Sequence, residues 1–322
     1  MILIAPDKFK GTYTAGEVCS LFSERLRLAG IDVPIKELPL SDGGEGIADV
    51  LMPKGRLISP GVYEDGTKRL VVSSEIIGFE AFKDSNLPLM NRSSFMLGKA
   101  IERGKETIIA VGGTAISDGG AGFLQALGVK FYDAYNNLIH EHLTPALLPR
   151  IARAETSDLV GYKITGIIDV KASLTEPPLS ALDFAAQKAL PGEDLSALKD
   201  ALEHFHDILG GSSQWDGAGG GVGYAIASVI GAECFSGAEV ALDKMNIDWS
   251  DIELVITGEG RVDEQTVRGG KLVDAVYKTA SSKGIPTLIV YGAVSGNLPY
   301  PYMAQIEEDW ENCSLVRNLM AP

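Results

Sequence analysis

Residues 107–122 read TIIAVGGTAISDGGAG, and this stretch decides the fold class. Thr107–Val111 is a short apolar run of the kind that forms a buried strand, and it runs straight into Gly112-Gly113. Asp118 then stands at a spacing that suits a helix cap. The same grammar recurs along the chain. Leu254–Thr257 (LVIT) ends at Gly258, Thr287–Tyr291 (TLIVY) ends at Gly292, and Ile164–Val170 (ITGIIDV) reads as a strand ending near Asp169. Ile2–Ala5, Val33–Leu38 and Leu70–Ile77 read as further strands. Helical segments are expected at Thr14–Ala29, Phe95–Glu102, Leu195–Leu209, Gly220–Ile230 and Lys271–Ser282. Alternation of this kind predicts an α/β fold with largely parallel sheets. In such sheets ligands bind beyond the carboxyl ends of the strands, where the glycine loops fall.

Glycine is over-represented, with 37 among 322 residues against a typical ~7%. Nearly half of these glycines lie in four windows, 41–46, 112–122, 217–223 and 258–270. Three of the four windows also carry acids or hydroxyls, which a flexible linker would not require. Glycine there lets the backbone approach a ligand closely and adopt positive φ. Plain tight turns are the competing explanation for any one window, and four together weaken it. Backbone N–H groups in such loops suit anions, so Gly112, Gly113, Thr114 and Asp118, with Gly219, Gly220 and Gly221, are candidates for holding phosphate. Neither a P-loop nor the dinucleotide-binding GxGxxG pattern is present as a clean match.

The chain holds 43 acidic and 28 basic residues, for a formal charge of −15. That excludes general nucleic-acid binding, which needs a basic stripe, and docking on anionic membranes. No apolar stretch approaches the ~18 residues of a membrane span. The three cysteines, Cys19, Cys234 and Cys313, are far apart and form no CxxC. The expectation is a reduced, cytoplasmic protein.

Carboxylates in these loops are the usual means of holding Mg²⁺ or activating a hydroxyl. Asp42 and Asp169 are the leading candidates, with Glu259 in the fourth window, while capping competes as a role for Asp118. Cations are scarce, so their positions inform. Lys8 and Lys10 follow the first strand, Arg261 lies within Gly258-Glu259-Gly260-Arg261, and Lys271 follows two glycines. Charges of this kind suit a phosphoryl-transfer site. His140, His142, His204 and His206 form two H-x-H pairs whose surroundings disfavour a metal role.

Five stretches together resemble the type-1 glycerate kinase family: IAPDKFKGTYTAGEV (4–18), PLSDGGEGIADVL (39–51), AVGGTAISDGGAGFLQALG (110–128), GAGGGVG (217–223) and LVITGEGRVDEQTVRGGK (254–271). The resemblance implies a kinase transferring the γ-phosphoryl of ATP to D-glycerate, with 2-phosphoglycerate as product and Mg²⁺ as cofactor. It implies two α/β domains with the active-site cleft between them. A Rossmann-like domain would be built from both chain ends, 1–65 plus 250–322, with 66–249 inserted as the second. Carried over by motif, Asp42, Asp169 and Lys8 become catalytic candidates, with Asp169 also a metal ligand. Lys10, Arg261, Glu259 and Gln265 become substrate-binding candidates. A homodimer is compatible with this reading. The match departs at 168–189, where Asp169, Gln187 and Lys188 keep the family pattern while its Asn, Pro and nearby glycines are replaced. The family's usual Pro after Lys271 is also absent, and the chain reads as a diverged, C-terminally shortened member. Two alternatives stay open: a kinase for another small hydroxy acid, or a catalytically impaired binding or regulatory homologue.

Overall fold

The computed structural model describes residues 1–9, 11–41, 46–168, 170–237, 240, 242, 248–268 and 272–318. In chain order the strands are β1 (Ile2–Ile4), β2 (Ile35–Glu37), β3 (Arg56–Ser59), β4 (Val62–Asp65), β5 (Lys68–Val72), β6 (Glu106–Val111) and β7 (Lys130–Tyr132). There follow β8 (Arg153–Glu155), β9 (Lys163–Ile168), β10 (Glu233–Ser236), β11 (Leu254–Val262), β12 (Thr287–Val294) and β13 (Met303–Gln305). The chain forms two compact units, Met1–Asp42 with Gly237–Pro322, and Gly43–Ser236.

The unit made from the chain ends is an all-parallel sheet in the order β13-β12-β11-β1-β2. Counted within the unit this is the order 2-1-3-4-5, in which the connections reverse between the first and third strands. That reversal lies between β1 and β11, which pair in register from Ile2 with Leu254 to Ile4 with Ile256. The helix Ala15–Leu28 starts at a capping box, with Thr14 and Glu17 each satisfying the other's backbone N–H. Its spacing puts Val18, Cys19, Phe22 and Leu26 on one buried face, and they form a core with Ile2, Ile4, Leu254 and Ile256. Burial pushes the Cys19 thiol up to about 12, which leaves it an inert packing group.

The second unit has a six-stranded sheet in the order β10-β9-β6-β5-β4-β3. The strands β10, β9, β6 and β5 run parallel, and β4 and β3 complete the edge as antiparallel ribbons. A separate ribbon pairs β7 with β8. Val71, Ile109, Val111, Ile164 and Ile168 from the sheet join Phe123, Leu124, Phe205 and Tyr224 in one continuous core.

By compactness the unit bounds fall at Asp42/Gly43 and Ser236/Gly237, where the family resemblance implied 65/66 and 249/250. Within the Pro- and Gly-rich stretch 53–67, Arg56–Ser59 and Val62–Asp65 form a hairpin that hydrogen-bonds onto β5. The strand expected over 70–77 ends at Val72, and Ser73–Ile77 is helical. Ser73 ends it through tertiary contacts: its Oγ donates to the Gly112 carbonyl and accepts from the Gly112 N–H. No helix among the described residues is long and apolar enough to cross a membrane.

Candidate active site

In the six-stranded sheet, β6 and β9 end side by side, with Val111 in register with Ile168. The loop after β6, residues 112–120, is the first candidate element. Gly113 (φ 60°), Gly119 (φ 68°) and Gly120 (φ 75°) take left-handed backbone that only glycine adopts without strain. The Gly112 N–H donates to Ser73 Oγ, and the Ala115 N–H donates to the Ile77 carbonyl. Among the described residues, the N–H groups of Gly113 and Thr114 have no acceptor, and Gly113 is exposed. Of the four amides Gly112–Ala115, those of Gly112 and Ala115 are thus taken up by the chain's own groups.

Asp118 is fully buried, and its carboxylate accepts from Ser94 N–H at 2.7 Å, Ser94 Oγ at 2.8 Å, Gly120 N–H at 3.0 Å and Gly122 N–H at 3.2 Å. Burial raises its pKa, opposed by those four donors. The carboxylate is taken up by the chain's own groups, so Asp118 builds the loop and does not reach outward to a ligand. Asp118→Asn sets an amide NH₂ against these donors. We expect it to lower unfolding stability by about 1–3 kcal/mol, read from the midpoint of urea denaturation.

The window 217–223 packs on this loop backbone to backbone. Gly219, Gly220 and Gly221 all have positive φ, and Gly119 N–H donates to the Gly220 carbonyl at 3.0 Å. A Cβ on Gly220 would lie 2.0 Å from the Ile116 carbonyl oxygen, and one on Gly221 would lie 2.3 Å from Gly119 Cα. The close approach expected toward a ligand is therefore, at Gly220 and Gly221, an approach to the neighbouring loop. Gly217 plays the same part toward Ser173, whose carbonyl oxygen lies 2.0 Å from the position of a Cβ. Asp216 ties the window down by accepting from Ser213 N–H and Ser228 Oγ.

The segment that lacks the family's glycines is well formed. Ala172 N–H donates to the Gln214 carbonyl, Gly217 N–H donates to the Ala172 carbonyl, and Ser180 with Asp183 forms a capping box on the helix Ala181–Ala185. Just beyond it, Lys188 is buried with its Nζ 2.8 Å from the Ile116 carbonyl oxygen and 3.4 Å from Thr114 Oγ1. Lys188 and Arg92, whose Nη1 donates to the Ala115 carbonyl, were not among the site candidates. Lys188 had one signal, its survival in the altered segment. Arg92 had none, because it meets the loop only through the tertiary fold.

In the unit built from the chain ends, the second set of candidates sits on β1 and β11, the strands flanking the topological reversal. Asp7 N–H donates to the Gly258 carbonyl, and the largely buried Asp7 carboxylate accepts from Lys8 N–H at 2.7 Å. Thr257 Oγ1 donates to the Ala5 carbonyl and locks the two strand ends together. Glu259 accepts from Thr266 Oγ1 at 2.7 Å, and Thr266 N–H reaches Asp263 Oδ1. Arg261 is exposed, with its Nε 3.8 Å from Asp263 Oδ2. The structure thus brings Asp7, Lys8, Glu259, Arg261 and Asp263 to one sheet edge. Asp7 was missed as a candidate because, in sequence, it reads as the strand's stop signal. Asp42, Asp169, Lys10 and Lys271 lie outside the described residues, and Gln265 is described through its backbone only.

Three of the four histidines are engaged elsewhere. The ring of His142 stacks on Phe95 at 3.8 Å, and His204 and His206 bond the carbonyls of Ile151 and Gly211.

Residues 2–319 match the model of the glycerate kinase family. A glycerate kinase from Bacillus subtilis (strain 168) is 30% identical, over 91% of this chain and 85% of its own length. A glycerate 2-kinase from Escherichia coli (strain K12) is 28% identical, over 92% and 86%. The crystal structure of a candidate glycerate kinase 2 from Salmonella typhimurium LT2 superimposes with a TM-score of 0.68 at 26% identity, covering 99% of this chain and 96% of that one.

Proposed function

Since the chain belongs to the glycerate kinase family, we propose that it transfers the γ-phosphoryl group of ATP to D-glycerate and releases 2-phosphoglycerate. The match over residues 2–319 carries this reading. The chemistry on the page supports it. The loop after β6 offers Gly113 and Thr114 amides to phosphate oxygens, backed by Lys188. The edge of β1 and β11 offers Lys8 and Arg261 for anionic groups, next to the carboxylates of Asp7 and Glu259.

In this reading Asp42 and Asp169 divide two tasks, acceptance of the hydroxyl proton and retention of Mg²⁺. The hard oxygen donors at these positions fit Mg²⁺, which takes one or two carboxylates and completes its shell with water and substrate phosphates. Among the described residues, no group of three or more metal-type side chains forms a cage. When bound, Mg²⁺ supplies neutralisation of charge on the transferring oxygens. Lys8 and Lys10 add positive charge there, and Arg261, Glu259 and Gln265 orient the acid and its hydroxyls. The three cysteines are free thiols, which suits a cytoplasmic enzyme using ATP.

Coupled detection of ADP with D-glycerate and MgATP tests the reading, and ³¹P NMR identifies the product. Turnover yielding the 2-phosphate is expected. No ADP from well-folded protein would end the kinase reading, and the 3-phosphate would overturn the regiochemistry. A panel of small hydroxy acids in the same assay decides the acceptor.

A further inference from the structure

One hydroxyl ties the candidate acid-binding side chains together. Glu259 and Arg261 lie on β11, and the chain then enters the helix Glu264–Arg268, with Asp263 just before it and Thr266 as its third residue. Thr266 is fully buried. Its N–H reaches Asp263 Oδ1 at 3.3 Å, and its Oγ1 accepts from Asp263 N–H at 3.2 Å. The same Oγ1 lies 2.7 Å from Glu259 Oε1.

The roles in these contacts are fixed by chemistry. A backbone N–H only donates, so the Thr266 oxygen accepts from Asp263. The buried hydroxyl then has one hydrogen to place, and it goes to Glu259, whose ionised carboxylate only accepts. A hydrogen bond to a charged acceptor is stronger than a neutral one, and this one holds the Glu259 carboxylate in a single orientation.

The residue type is informative. In a capping box the third helical position carries Glu or Gln, which reaches back to the N–H of the cap residue. A glutamate at 266 could accept from Asp263 N–H equally well. It would have no hydrogen for Glu259 and would set a second negative charge beside it. Threonine is also the weaker helix former, so what it adds over glutamate here is the donated hydrogen. Asp263, on the other side of Thr266, lies 3.8 Å from Arg261 Nε. One side chain thus bonds a carboxylate offered to the acid's hydroxyls and the neighbour of a guanidinium offered to anionic groups.

We infer that Thr266 is a positioning residue for the acceptor: it orients Glu259 toward the hydroxyls of the acid, and so sets affinity for the acid and not for the nucleotide. This rests on the acid-binding role proposed for Glu259 and adds the group that orients it.

Steady-state kinetics on the full chain with D-glycerate and MgATP, run as a double-mutant cycle, test it. Thr266→Val keeps the shape and loses the hydroxyl. It is expected to raise the D-glycerate KM about tenfold, with the ATP KM changed less than about twofold and kcat less than about threefold. Thr266→Ser keeps the hydroxyl and should stay within about threefold of the parent in every parameter. Glu259→Ala should raise the D-glycerate KM, and adding Thr266→Val to it should raise KM less than about twofold further, because the carboxylate to be oriented is gone. Where Glu259→Ala turns over too slowly, calorimetric affinities for D-glycerate close the same cycle. A role confined to capping the helix would give Thr266→Val the same effect with and without Glu259, or raise both substrates' KM together, and either result overturns the inference. So does an unchanged D-glycerate KM in Thr266→Val. If Thr266→Val fails to fold, Thr266→Ala, the better helix former, carries the comparison. A D-glycerate KM unchanged in Glu259→Ala overturns this inference while the kinase reading stands. Wild-type protein that phosphorylates another hydroxy acid instead defeats only the acceptor's identity, and the cycle is decided with that acid. Wild-type protein that phosphorylates none defeats the kinase reading and this inference together.

Discussion

Gly220→Ala protein will lose most of the stability of the inserted unit. Its φ of 68° already costs an L-residue roughly 1–2 kcal/mol. The new Cβ would also lie 2.0 Å from the Ile116 carbonyl oxygen and 2.9 Å from Ser117 Cα, both backbone atoms. A flexible side chain could move away, whereas relieving these contacts means separating the two loops. The Gly119 N–H to Gly220 carbonyl bond would go with that separation, and so would the seating of Val222 beside them. A domain is stable by only about 5–15 kcal/mol, so a loss of about 4 kcal/mol or more takes away much of that margin and lowers the urea midpoint sharply. Gly192→Ala is the matched control, since it has φ of 79° but nothing within 4 Å of the added carbon. Urea denaturation of both variants measures the difference. Equal losses would show that the two loops do not depend on backbone contact at Gly220.

Asp169→Asn will lower kcat by about 10²–10⁴ with substrate KM values changed only a few-fold. Asparagine keeps the shape and loses the negative charge, so it can neither accept the hydroxyl proton nor hold a divalent cation as a carboxylate does. The position follows Ile168, the last residue of β9, whose register partner Val111 ends β6. That places the substitution in sequence directly after the strand that neighbours β6. Stopped-flow or coupled ADP detection gives kcat, and a thermal midpoint within a few degrees of the parent confirms that the fold survives. A variant retaining more than about a tenth of parental kcat would remove Asp169 from the chemistry, leaving Asp42 as the carboxylate to test next.

Loop and strand chemistry was legible because it is local. Apolar runs at 107–111, 164–168, 254–257 and 287–291 are strands in the structure, and β11 and β12 extend further than expected, to Val262 and Val294. The extension needs Gly258, where a Cβ would meet the Val290 carbonyl oxygen at 2.0 Å. The hairpin Arg56–Asp65, and β7, β8, β10 and β13, were not legible. They are three or four residues long, too short for a period to declare itself, and they are strands because a neighbour offers hydrogen bonds.

The sequence by itself determined the α/β class, the four glycine windows, the family motifs and the scarcity of cations. Each is a property of a few adjacent residues. Tertiary structure alone decided what those residues face. The pairing of β1 with β11 joins residues about 250 positions apart and puts Asp7 beside Gly258. Lys188 meets Thr114 across 74 positions, and the Arg92 side chain meets the Lys188 carbonyl across 96. Asp118 is turned inward by Ser94, and Gly220 is pressed on Ile116. A glycine's freedom or a carboxylate's charge can be read from sequence, but its partner is set by which strands the sheet places side by side.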